Sequence, residues 1–262
     1  MTLVSVVIPT FQRPQRLWQA LESVGQQTHP DVETVVVNNG GSPVEQVIAR
    51  YEREFGRPIQ YVALRTARNI GMVRNIGAAT AQGEILALLD DDDRFYPSHL
   101  ERVSRALEQH ADAVAAYDDA LLILEDSAGA EKTSRTIASG RFGLPYDRSR
   151  FEQDDYILTS TLAIRHTAFD ACGGFDRTLS MAEDWDLLLR LRDEGMLLYV
   201  PGEVGIAYSV RLSANDHSGA IFDQRRRECL DRLVARYGLS PLVPKTFYDV
   251  ARDFGCEFLP SS

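Results

Sequence analysis

Apolar residues along the first hundred positions fall into two alternating rhythms. Short apolar-rich runs at residues 3–8, 32–37, 59–64 and 85–89 read as buried strands. Between them the apolar positions recur at helical spacing. Leu17, Leu21 and Val24 follow the turn at Pro14, residues 44–55 and 72–80 come next, and Leu100, Val103 and Leu107 close the series. Strand followed by helix, repeated, predicts an α/β protein with a Rossmann-like, doubly wound, mostly parallel sheet flanked by helices. Ligands bind such sheets beyond the carboxyl ends of the strands. Three polar clusters fall there: Thr10 to Arg13 after the first strand, Asn38 to Ser42 after the second, and Asp90 to Asp93 after the fourth. Segments distant in sequence are thereby expected to meet at one site.

The second half has a weaker rhythm. Residues 113–124 read as one long strand or a pair, and residues 125–150, rich in Ser, Gly and charge, as a mobile loop. Residues 156–164 return to strand character. Gly173 and Gly174 precede a helix over 181–191, whose apolar face holds Trp185, Leu188 and Leu189 and whose first turn carries Glu183 and Asp184. Residues 221–237 form an amphipathic helix with Arg225, Arg226, Arg227, Arg232 and Arg236. That basic face suits either peripheral contact with an anionic membrane surface or plain solvation.

Composition narrows the classes. With 44% hydrophobic and 25% charged residues in 262, and no repeat or low-complexity linker, the chain can bury a sizeable core as a single domain. The 38 acidic against 28 basic residues leave a net charge of −10, which works against nucleic-acid binding. A small anionic ligand would therefore need a metal ion or a local basic group. Cys172, Cys229 and Cys256 are odd in number and lack metal-ligand spacing, which fits a reducing cytoplasm. The first residues lack a basic leader, and no uninterrupted apolar stretch reaches about 18 residues, so no transmembrane segment is expected.

Four consecutive carboxylates, Asp90 to Asp93, repel one another. A divalent cation held by one or two of them, with phosphate oxygens at its other positions, resolves that repulsion. The other reading is an acidic turn that complements the dipole of the helix beginning near Pro97.

Read in order, Val6-Val7-Ile8-Pro9-Thr10-Phe11, the Asn38-Asn39-Gly40-Gly41 turn, Arg74-Asn75, Gly83-Glu84-Ile85, Leu89-Asp90-Asp91-Asp92-Asp93, Gly173-Gly174-Phe175-Asp176 and Glu183-Asp184-Trp185 resemble glycosyltransferase family 2. The likeness covers about residues 3 to 210. It implies the GT-A fold and an inverting transferase, of hexosyltransferase type. Such an enzyme moves a sugar from a nucleoside-diphosphate sugar to a carbohydrate or other hydroxyl acceptor, in glycan, polysaccharide or glycoconjugate synthesis. Residues 1–110 then form the nucleotide-sugar-binding half and residues 111–215 the acceptor-binding half, with residues 216–262 a helical extension packed on the same domain.

By the same resemblance, Asp90 and Asp92 are the ends of an Asp-x-Asp motif. Asp92 ligates Mn²⁺ or Mg²⁺, while Asp90 lies nearer the ribose or sugar, with Asp91 beside it. Asp184 matches the general base and Glu183 supports it, although both also suit a plain helix N-terminus. Pro9, Thr10, Arg13, Asn39 and Arg74 join the nucleotide-sugar site, with Arg74 and Arg68 candidates to face the diphosphate or to pair with the aspartates. Asn39 stands where the family tends to carry a base-reading Asp. An amide can donate as well as accept, so this departure leaves the nucleobase open; UDP or dTDP stands slightly ahead with GDP possible, and Asn39-Gly40 equally suits a tight turn. His217 is either a further metal ligand or a surface residue. Trp185 either stacks on a sugar or is buried. Two other classes keep a place beside this one: a non-catalytic nucleotide-sugar-binding module, and a metal-dependent nucleotidyltransferase or phosphohydrolase.

Overall fold

The computed structural model describes residues 2–126, 135–211 and 224–261. In the first half, β1 (Val4–Thr10), α1 (Pro14–Gly25), β2 (Val32–Asn38), α2 (Glu45–Phe55), β3 (Ile59–Ala63), α3 (Ile70–Thr80) and β4 (Ile85–Leu88) alternate as the rhythm predicts. The four strands run parallel in the order β4-β1-β2-β3. Central β1 is buried at all seven positions, which is why its sequence shows an unbroken apolar run instead of alternation. Pro14 opens α1, where its missing N–H is no loss, and the Asn69 side chain caps α3 by accepting from Met72 N–H at 2.9 Å. Helix α3 lies close against the sheet because Gly77 faces Val7. A Cβ there would stand 2.3 Å from Val7 Cγ1.

The second half continues the same sheet. It contains β5 (Arg94–Phe95), α4 (His99–Gln109), β6 (Ala113–Asp126), β7 (Arg135–Phe142), α5 (Arg148–Phe151), a 3₁₀ turn at Thr159–Thr161, β8 (Ala163–Arg165) and α6 (His166–Ala171). Then come α7 (Glu183–Glu194), β9 (Met196–Arg211), α8 (Gln224–Tyr237), α9 (Phe247–Asp253) and β10 (Leu259–Pro260). The sheet order is β10-β7-β6-β8-β4-β1-β2-β3, with β9 parallel to β6 and antiparallel to β5. Short β8, antiparallel to both β4 and β6, joins the halves. By paired residues most of the sheet is parallel, and helices flank it.

Two expectations fail here, for physical reasons. The loop expected over 125–150 contains β7 and α5 among its described residues, and β7 pairs along β6. As a strand near the sheet edge it buries only two of its eight residues, so no apolar rhythm marks it. The strand expected over 156–164 is mostly irregular. Tyr156, Ile157 and Leu158 are buried, but they lead into the 3₁₀ turn, and strand pairing begins only at Ala163. Burial alone made that segment apolar. The sequence reading also passed over β9, whose pairing skips residues 201–203 through a bulge opposite Asp118 and Asp119.

Helix α8 docks by its arginines as well as by Leu230 and Leu233. Arg236 bonds Asp186 at 2.6 Å and Asp176 at 2.7 Å, Tyr237 Oη donates to Asp186 at 2.7 Å, and Arg232 donates to Thr178 O at 2.9 Å. Part of the face that suited a membrane surface is thus spent on packing. Among the described residues no helix is long and apolar enough to cross a membrane.

Candidate active site

The carboxyl ends of β1, β2 and β4, the end of β9 and the start of α7 enclose a cleft of about 550 Å³. Pro9, Thr10, Arg13, Asn39, Arg74, Asp90, Asp91, Asp92, Glu183 and Asp184 all line it. The expected convergence therefore occurs. His217 lies outside the described residues.

Each of the four aspartates has its own neighbours. Thr10 Oγ1 donates to Asp91 Oδ2 at 2.7 Å and Arg13 Nη1 to Asp91 Oδ1 at 3.1 Å. Burial, then the charge of Asp92, pushes the Asp91 carboxyl up to about 6. Asp93 is held away from the opening by Ser160 Oγ at 2.5 Å and Ser209 N–H at 2.9 Å, and burial pushes it well above the usual carboxylate range. Ser160 Oγ also accepts from Asp90 N–H at 3.1 Å, so one hydroxyl fixes two members of the run. Asp90 and Asp92 keep side chains 27% and 18% exposed, which leaves these two as the run's accessible oxygens. Arg13 Nη1 reaches Asp92 Oδ2 at 2.7 Å, and Arg211, from the end of β9, bonds the same oxygen.

Arg74 does not face open space. Its Nη1 donates to Glu183 at 2.6 Å and its Nη2 to both oxygens of Asp90 at 2.7 and 3.0 Å, with the residue only 4% exposed. Burial works against its charge, but Asp90, Glu183 and Asp184 together hold the guanidinium charged above its ordinary range. Of the two readings of Arg74, pairing with the aspartates is the one seen here, and it makes the side chain a bridge between the carboxylate run and α7. Its neighbour Asn75 completes the link. The Asn75 amide bonds Phe175 N–H and C=O, each at 2.8 Å, and Gly174 must stay small and left-handed (φ 67°) because a Cβ would stand 2.6 Å from Asn75 Oδ1.

Glu183 and Asp184 begin α7, two residues later than the expected helix start. Burial, then the charge of Asp184, pushes Glu183 up to about 7. Asp184 is held by neutral donors: Thr159 Oγ1 at 2.8 Å and Trp185 N–H at 2.9 Å, one to each oxygen. Ala182 just before them is left-handed (φ 56°), as is Gln12 (φ 57°) beside Arg13. These are the non-glycine residues with positive φ among those described, and both flank the cleft, where backbone strain of about 1 kcal/mol apiece concentrates at working positions. Trp185 is buried and its Nε1 donates to Phe151 O at 3.0 Å.

Asn39 turns out to be a strut. Its Nδ2 donates to Arg68 O at 2.9 Å and its Oδ1 accepts Arg68 N–H at 2.8 Å, so both ends of the amide hold the 64–70 segment. An Asp there could not donate. On the opposite wall lie Asp155, Val243, Lys245 and Phe247. Lys245 pairs with Asp154 at 2.7 Å and Asp253 at 3.0 Å. Asp155 Oδ1 is closed off from solvent and has no hydrogen-bond partner among the described residues. Burial, then Asp184, pushes that carboxyl well above its ordinary range. Thr159, Ser160, Ser209, Arg211 and Asp155 were not singled out from sequence.

Among the described residues no group of three or more His, Cys, Asp or Glu is arranged to hold a metal ion. The accessible oxygens of Asp90 and Asp92 are nonetheless the hard donors that Mg²⁺ and Mn²⁺ take, with phosphate oxygens completing the set. The residues present fit such an ion bound together with a phosphate ligand.

Comparison with known proteins bears on the family and the fold. The sequence model of Glycosyl transferase family 2 matches residues 5–170. An uncharacterized glycosyltransferase of Bacillus subtilis, YwdF, is 31% identical over 246 residues, covering 93% of this chain and 87% of the relative. Among solved structures, S. aureus TarS in complex with UDP-GlcNAc aligns with a TM-score of 0.64 at 19% identity, over 89% of this chain and 66% of that one. The mannosyltransferase PcManGT from Pyrobaculum calidifontis, in complex with GDP-Man and Mn²⁺, aligns with a TM-score of 0.66 at 15% identity, over 90% of this chain and 64% of that one. At those identities the likeness is one of fold, and the fold is GT-A.

Proposed function

The chain belongs to glycosyl transferase family 2, and from that premise we propose that it transfers a sugar from a nucleoside-diphosphate sugar to a hydroxyl acceptor, with inversion at the anomeric carbon. One observation carries the reading: Asp90 to Asp93 and Glu183-Asp184, remote in sequence, meet in a single cleft and are joined there by Arg74.

Each group has a role in that reading. Asp184 takes the proton of the acceptor hydroxyl, and its two neutral hydrogen bonds set the carboxylate's direction without neutralising it. Glu183, tied to Arg74, fixes the start of α7 beneath it. Asp90 and Asp92 would hold Mn²⁺ or Mg²⁺, which when bound offsets the charge gathering on the departing diphosphate. Thr10 and Arg13 keep Asp91 oriented, and exposed Phe11 with Pro9 and the Asn39 strut forms the base side of the cleft. Residues 1–110 thereby carry the donor. Residues 111–215 and the 216–262 extension carry the acceptor. UDP and dTDP lead the donor candidates and GDP stays among them; the Asn39 amide, engaged with Arg68, leaves base reading to the backbone.

Calorimetric titration of UDP, dTDP, GDP, CDP and ADP, with and without Mn²⁺, tests the reading. Metal-dependent binding of one nucleotide, followed by sugar release from the matching donor, is the expected result. Absence of binding by all five would overturn it.

A further inference from the structure

Resting on that reading, we propose that Arg13 and Arg211 are exchangeable counter-ions: they compete with the divalent cation for Asp92 and pass to the donor diphosphate when metal and nucleotide arrive together. The two arginines come from opposite walls, one before α1 and one at the end of β9. Both bond the same Oδ2 of Asp92. Asp92 is also one of the run's two accessible carboxylates, so the oxygen they hold is one that a cation entering the cleft can reach.

The charge balance explains why two arginines gather on one carboxylate. Arg74 is committed to Asp90 and Glu183, and Arg16 is committed to Glu125 at 2.8 Å. Arg13 also touches Asp91 at 3.1 Å, and Arg211 stands 4.0 Å from Glu125, so each keeps an anchor when it leaves Asp92. A cation arriving alone must displace two guanidinium groups from Asp92 and then sit beside them, positive against positive. A cation arriving with a diphosphate brings phosphate oxygens that accept both arginines through charge-assisted hydrogen bonds. Metal and nucleotide therefore bind with positive coupling, and by linkage each raises the affinity for the other by the same factor.

The coupling has an unusual signature: deleting either arginine moves two affinities in opposite directions. Mn²⁺ alone is titrated by the paramagnetic resonance of the free ion, and UDP and GDP are titrated calorimetrically at saturating Mn²⁺. Arg211→Ala is expected to bind Mn²⁺ alone several-fold more tightly than the parent and to bind the nucleotide about tenfold more weakly. Arg13→Ala is expected to shift both in the same senses, and Arg211→Lys to restore part of the nucleotide affinity as a point charge. Unchanged or weaker binding of Mn²⁺ alone in both alanine variants, with unfolding temperatures matching the parent, would overturn the exchange. If the parent protein binds none of UDP, dTDP, GDP, CDP and ADP, the transferase reading itself fails, which separates the two outcomes.

Discussion

The two walls of the cleft handle negative charge in opposite ways. On the donor wall, Asp90, Asp91 and Asp92 are each met by a guanidinium, from Arg74, Arg13 or Arg211. On the proposed acceptor wall, Arg74 bonds Glu183, but Asp184 takes its hydrogen bonds from a hydroxyl and a backbone N–H and feels Arg74 only through its charge, and Asp155 leaves one buried oxygen without a described partner. Arginine suits carboxylates whose counter-ion is to be traded for another. Neutral donors suit a carboxylate that must itself accept a proton, because they orient it without satisfying its charge. In the proposed reading, the difference between walls is a difference between binding charge and moving a proton.

The comparison breaks most sharply at Asp184. Asp184→Asn keeps the shape and removes the base, so transfer should fall about a thousandfold, about 4 kcal/mol, while nucleotide affinity stays within twofold in calorimetry. Next in size is Arg74→Ala, which strands Asp90 and buried Glu183. Chemical denaturation should show a loss of about 3 kcal/mol, the range found when one partner of a buried pair is removed. Asp92→Asn acts on the donor wall alone. It should cost about 2 kcal/mol of nucleotide affinity in the presence of Mn²⁺ and abolish the difference that metal makes. Equal loss of binding and transfer in the Asp92 and Asp184 variants, both folded, would erase the distinction between the walls.

The smallest expected effect concerns Glu183. Its folded pKa, about 7, lies above the ordinary glutamate value of 4.5. Between those values the folded chain holds a proton the unfolded chain has released, so this group's contribution to stability falls as pH rises through that window. Unfolding temperatures measured at pH 5 and pH 7.5 in chelator should fall more for the parent than for Glu183→Gln. An equal fall would mean that Arg74 neutralises Glu183 throughout.

Legibility in the sequence follows the same physical divide. Strands β1, β2 and β4 are apolar because parallel central strands are buried on both faces, and their polar ends stand out against that background. The second half hides its strands. β7 buries only two of its eight residues, and β9 is interrupted at Pro201, Gly202 and Glu203, where its pairing with β6 skips. The charged groups of the site were legible because four aspartates in a row are rare and Glu183-Asp184 opens a helix. Thr159, Ser160 and Ser209 were not, since a hydroxyl gains meaning only when the sheet sets β8's lead-in beside β4 and the end of β9 beside Asp93. Arg74 was visible but its partners were not, because Glu183 lies 109 positions away.

That separation has a consequence during synthesis. The family match stops at residue 170, whereas the second counter-charge of Arg74 arrives only with α7, and α7 in turn is tied to α8 through Asp186. On the ribosome, the first half therefore emerges holding a cation that it cannot bury in balance until nearly the whole chain is out. The span of the family match and the span of cooperative folding differ in this protein, and a fragment cut at the edge of that match should behave as an incomplete folding unit.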